Sequence, residues 1–123
     1  MGARALVLFA HGARAASWAT PFERLREMTA AQASPVPVSL AFLELMEPRL
    51  PAEMARLVAA GVDEVTVVPV FLGQGGHLLR DLPLLVAQLK IDYPGIAIKV
   101  VGAIGEDLAV QQAMTAYCVA ALT

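Results

Sequence analysis

The chain is poor in most of the groups that carry chemistry: one cysteine, two histidines, one tryptophan, and charged residues at only 16% of 123 positions. Cys118 alone has no internal partner. That excludes a disulfide scaffold and makes a reducing, cytoplasmic setting the expectation. Long apolar runs are also missing. Runs such as Ala5 to Ala10 and Val65 to Leu72 fall far short of the roughly 20 residues that cross a bilayer, so no membrane span is expected. Met1 to Arg4 leads straight into a strand-like run, without the charged and then apolar pattern of a secretory signal. The net charge of −2 gives no broad basic field, so nucleic acid is not an expected partner. No low-complexity tract or linker interrupts the chain, and a single domain over residues 1–123 is expected.

Apolar residues, in contrast, are abundant. They make up 58% of the chain, against about 45–50% in a typical globular domain. Strands buried on both faces account for such a surplus, as does a subunit interface. Arg4–Ala10, Val38–Leu43, Val65–Leu72 and Ile96–Val101 read as strands. Helical spacing predicts helices from Ser17 or Thr20 to about Ala33, from Pro48 to Gly61, over Leu79–Ile91 and over Glu106–Leu122. Pro69 inside the third strand is a warning, because proline cannot donate to a ladder. Four βα units in a row give an α/β fold: a four-stranded parallel sheet with helices on both faces, in the flavodoxin-like order 2-1-3-4.

In open α/β sheets the ligands bind beyond the carboxyl ends of the strands. Three groups stand there: His11 after the first strand, Glu44 after the second and His77 in the loop after the third. The spacings are equal, 44 − 11 = 33 and 77 − 44 = 33, the length of one βα unit. Two imidazoles and a carboxylate suit a divalent transition metal such as cobalt, nickel, iron or zinc, and three protein ligands leave positions open for reaction. Taken singly, each has an ordinary reading: a hydrogen-bonded loop histidine, or a glutamate capping the helix near Pro48. The run Gly73-Gln74-Gly75-Gly76 lacks the spacing and lysine of a phosphate loop, so no nucleotide is expected. Histidines stand where a response-regulator receiver needs acidic residues.

The stretch Leu8-Phe9-Ala10-His11-Gly12-Ala13-Arg14 resembles the opening His-Gly-Ser-Arg motif of the CbiX-type sirohydrochlorin chelatases. Ala41-Phe42-Leu43-Glu44-Leu45 with Pro48 is similar to their second motif. Val68-Pro69-Val70-Phe71-Leu72, then Gly76-His77 and Asp81-Leu82-Pro83, is similar to their third, and Pro69 belongs to that pattern. Ala13 departs from the family serine. The histidine-rich stretch of some short nickel-using members is missing, which argues against nickel.

The resemblance implies a chelatase-like fold and ATP-independent insertion of cobalt, iron or nickel into sirohydrochlorin or a related tetrapyrrole, as in cobalamin or siroheme biosynthesis. It assigns metal binding to His11 and His77 with Glu44 beside them, Glu44 serving as ligand or proton acceptor. For a chain this short it implies a homodimer. Arg14 and Arg80 flank the histidines and are candidates to pair with substrate carboxylates. Leu45, Met46, Leu78 and Leu79 are candidates to line the ring. Two rival readings use the same residues: a non-enzymatic metal carrier or sensor, and a metal-dependent hydrolase or lyase.

Overall fold

A computed structural model describes residues 2–73 and 75–123, with the side chain of His77 outside the described set. The described residues form a four-stranded parallel sheet, β1 (Ala3–Ala10), β2 (Val38–Phe42), β3 (Val62–Pro69) and β4 (Ala97–Val100), in the order β2-β1-β3-β4. The expected 2-1-3-4 order is the observed one. Helices α1 (Thr20–Ala33), α2 (Leu50–Ala59), α3 (Gly76–Asp92) and α4 (Leu108–Ala120) alternate with the strands, and 3-10 turns at Ala16–Ala19 and Ile104–Glu106 precede α1 and α4.

The alternation of side chains along β1 builds two cores. Ala5, Val7 and Phe9 point to one face and pack with Leu50, Met54 and Leu57 of α2 and Leu78, Leu82, Val86 and Leu89 of α3. Leu8 and Ala10 point to the other and pack with Val38, Leu40 and Phe42 of β2 under Trp18, Phe22 and Leu25. Trp18 is therefore a packing residue, its ring 4.4 Å from that of Phe22.

The boundaries of β3, α3 and α4 differ from the sequence expectation. β3 starts at Val62, not Val65, because Val62 and Glu64 pair with Ala3 and Arg4 and their polar neighbours face solvent. It stops at Pro69, since the N–H missing there lies on the β4 side, beyond the last β3–β4 pair, Val67 with Val100. Val70 still donates to Phe9 on the β1 side at 2.8 Å. α3 starts at Gly76, three residues earlier than expected, which moves residue 77 from the loop into the first helical turn and leaves Pro83 inside the helix. α4 starts after Asp107, whose carboxylate accepts the Val110 N–H at 3.3 Å as an N-cap, so Glu106 belongs to the 3-10 turn.

The fourth helix is unlike the other three. Like α1 it holds no fully buried residue, but where α1 packs on β2, α4 packs mainly against the 3-10 turn before it. Leu108, Tyr117 and Val119 are exposed. β4 is open to solvent as well, at Ala97, Lys99 and Val100. No helix among the described residues is long and apolar enough to cross a membrane.

Candidate metal and tetrapyrrole site

The parallel register of β1 and β2 places their carboxyl ends side by side, Ala10 opposite Phe42. The pairing continues past the strands: Leu43 N–H donates to Ala10 at 2.9 Å and Glu44 N–H to His11 at 3.1 Å. Two residues 33 apart in sequence are thus locked together by backbone bonds before their side chains meet. Gly12 makes the approach possible. Its φ is +95°, and a Cβ there would sit inside the van der Waals radius of the Glu44 carbonyl oxygen.

The side chains meet at the rim. His11 Nε2 lies 3.1 Å from Glu44 Oε1, with the two side chains 47% and 45% exposed. Solvent and a solute therefore reach both groups. Phe71, in the segment after β3, stands edge-on to the imidazole at a centroid distance of 6.3 Å and is itself backed by Phe9 at 6.2 Å. Phe71 was not singled out from the sequence beyond its place in the third motif. Nothing in its spacing separates a phenylalanine that orients a histidine from one that fills a core.

The 3.1 Å spacing has a chemical meaning. Two donor atoms that far apart, each about 2.0–2.2 Å from one ion, subtend about 90–100° at it, a normal angle between adjacent ligands. The same contact, without metal, is a hydrogen bond in which the imidazole N–H donates to the carboxylate. The pair is therefore spaced to take up a cation where a proton is now shared.

Of the other predicted residues, residue 77 lies in the first turn of α3, which follows β3 at the same carboxyl edge, while its side chain is outside the described residues. Among the described residues no group of three metal-ligating side chains is assembled. Arg14 is exposed in the loop after Gly12. Arg80 is exposed on α3, its Nε 3.6 Å from Asp81 Oδ1. Neither is tied down by a buried partner. Of the four residues expected to line a ring, Leu78 is buried in the core and Met46 is half-buried against the α1-side core. Leu45 and Leu79 are exposed.

The CbiX family model matches residues 5–119. A sirohydrochlorin cobaltochelatase from Methanopyrus kandleri is 35% identical over 79 residues, a match that covers 64% of this chain and 55% of the relative. The chain thus spans little more than half the length of that relative. A CbiX protein from Marinobacter aquaeolei VT8 superposes with a TM-score of 0.87 at 32% identity, over 97% of both chains. The sirohydrochlorin chelatase SirB from Bacillus subtilis subspecies spizizenii, solved with cobalt, superposes with a TM-score of 0.75 at 30% identity, over 85% of this chain and 45% of its own.

Proposed function

Because the chain belongs to the CbiX family, we propose that it inserts a divalent metal, cobalt first among them, into sirohydrochlorin or a close tetrapyrrole relative. The observation that carries this reading is the His11–Glu44 pair, set at the shared carboxyl edge of β1 and β2 at a spacing that suits chelation. The cobaltochelatase name of the relative from Methanopyrus kandleri and the cobalt in the SirB structure support cobalt. The structure of SirB from Bacillus subtilis with Fe3+ supports iron as an alternative cargo.

Insertion breaks two pyrrole N–H bonds, releases two protons and forms metal bonds to the four ring nitrogens in place of the metal's former ligands. In this reading His11 holds the ion together with His77, and neutral imidazole does so without the desolvation cost of a second charge. Glu44 is the third ligand and, as the ring nitrogens take over, the first acceptor of a released proton. Open coordination positions let water leave and ring nitrogens enter one at a time. Arg14 and Arg80 pair with the carboxylates at the ring's periphery. No step uses a nucleotide.

We assign the working unit as a homodimer of single-domain chains in the cytoplasm. Support comes from α4. From Leu108 to Thr123 no side chain carries a charge at neutral pH, and apart from Gln111, Gln112 and Thr115 the helix is apolar, which suits a helix that is covered in its working state. In a single copy it is exposed.

The test is to mix purified protein with sirohydrochlorin and cobalt(II), iron(II) or nickel(II) and follow the visible spectrum, with no-enzyme, His11→Ala and His77→Ala controls. Acceleration by the native chain and by neither variant is the expected result. Tight metal binding with insertion at the uncatalysed rate for every ion would instead make the chain a metal carrier.

A further inference from the structure

The rim of the site holds a strained residue that neither metal binding nor packing explains. The Glu44 carbonyl accepts the Met46 N–H at 2.8 Å, so three residues close a turn around Leu45, whose φ is 67°. Such a tight turn, with a positive φ at its centre, is rare and strained for a residue with a β-carbon. Among the described residues Leu45 is the one non-glycine residue with positive φ. Burial does not offset the strain, because its side chain is 51% exposed. Strain kept at an exposed position beside a reactive group points to use.

A second leucine matches it. Leu72, in the segment after β3, is 74% exposed. Its backbone is fixed: Gly105 N–H donates to the adjacent Phe71 carbonyl at 2.8 Å, and Gly105 lies so close that a Cβ would overlap the Leu72 backbone. The order β2-β1-β3 puts the loop of Leu45 on one side of His11 and the segment of Leu72 on the other. A polar pair able to hold a metal thus sits between two exposed apolar side chains, each on fixed backbone. A solute that brings a metal-accepting centre inside a flat apolar body fits that arrangement.

Resting on the chelatase reading, we infer that Leu45 determines affinity for the tetrapyrrole. Its side chain meets the apolar face of the ring, with Leu72 as the opposite support, and the turn exists to hold it there. Leu45 takes no part in binding the metal.

The experiment uses two variants of the full chain, Leu45→Gly and Leu45→Asn. Both residue types accept a positive φ, so the turn is kept or relaxed and the apolar contact is lost. Metal-free sirohydrochlorin and, separately, cobalt(II) are titrated into each protein, and thermal unfolding is recorded beside them. Both variants are expected to melt no lower than the native chain, to bind cobalt within about twofold of it, and to bind the ring about tenfold more weakly. In turnover, KM for the ring rises while kcat holds. A merely structural role would lower melting temperature and ring affinity together. Ring affinity within twofold of native in both variants overturns the assignment, as does loss of cobalt affinity with ring affinity intact. A native chain that binds no tetrapyrrole at all overturns the chelatase reading, and this inference with it. Binding by the native chain keeps the two failures apart.

Discussion

At Glu44 a single carboxylate faces two tasks, and the 3.1 Å contact with His11 Nε2 favours the first of them, chelation. Glu44→Gln keeps the shape and one oxygen but removes the charge that balances a dication. Cobalt affinity is expected to fall by about tenfold or more in an isothermal titration, with the melting temperature of the metal-free protein nearly unchanged. An unaltered cobalt affinity with slowed insertion would make Glu44 a proton acceptor only. Gly12 behaves in the opposite way. Gly12→Ala forces a β-carbon onto the Glu44 carbonyl at a φ that suits glycine, so both the fold and the pair suffer. A loss of more than about 1 kcal/mol in denaturant unfolding is expected, together with weaker cobalt binding. These residues were legible in the sequence because strand ends are where open sheets place their ligands. The orienting role of Phe71 and the turn at Leu45 were not, since ring contacts and backbone dihedrals have no spacing signature.

Among the elements, the sequence showed all four strands and helices because apolar runs and helical periodicity agree with the punctuation by Pro and Gly. It failed where polar residues pair without being buried, at the start of β3, and where a helix opens inside a glycine-rich run, in α3. α2 also carries a charge that periodicity hides. Glu53 is 4% exposed, and both Arg56 Nε and Nη2 donate to its carboxylate, Nε at 3.0 and 3.1 Å. Burial pushes the Glu53 carboxyl up, but hydrogen bonding to Arg56 and its positive charge outweigh it, so the group titrates below its ordinary value of 4.5. The folded state therefore binds fewer protons than the unfolded one in that range, and stability rises with pH there. The contribution is fully present above the ordinary glutamate range and is lost as pH falls through the lowered value. Arg56→Ala should cost about 1–2 kcal/mol at neutral pH, less than a fully buried pair because the Arg56 side chain is 60% exposed. Its stability profile below pH 5 should be flatter than that of the native chain in chemical unfolding followed by circular dichroism.

For the whole molecule, the fold's alternation of βα units was readable, but the fate of the last helix was not. Periodicity cannot distinguish an apolar helix covered by its own sheet from one covered by another chain. Val119 and Leu108 are exposed in a single copy, at 60% and 68%. A glutamate at either position should therefore be nearly neutral for a monomer, within about 0.5 kcal/mol. In the proposed dimer the same charge is buried. Val119→Glu and Leu108→Glu are expected to convert a two-chain species into a one-chain species in light scattering after size exclusion. A native chain that runs as a monomer at micromolar concentration would count against the assignment.

The charge-free α4 follows all four strands in the chain, so the whole sheet leaves the ribosome before it. A newly made copy therefore presents this apolar helix at a time when the sheet before it can already have folded. In a single copy α4 has no buried residue, and such a copy is prone to non-specific association through it. If pairing covers it, resistance to heat becomes a property of the amount of protein present and not of the chain alone: dilute samples melt earlier than concentrated ones. Abundance and durability are then set together, and a cell making little of this protein would hold it in a more fragile form.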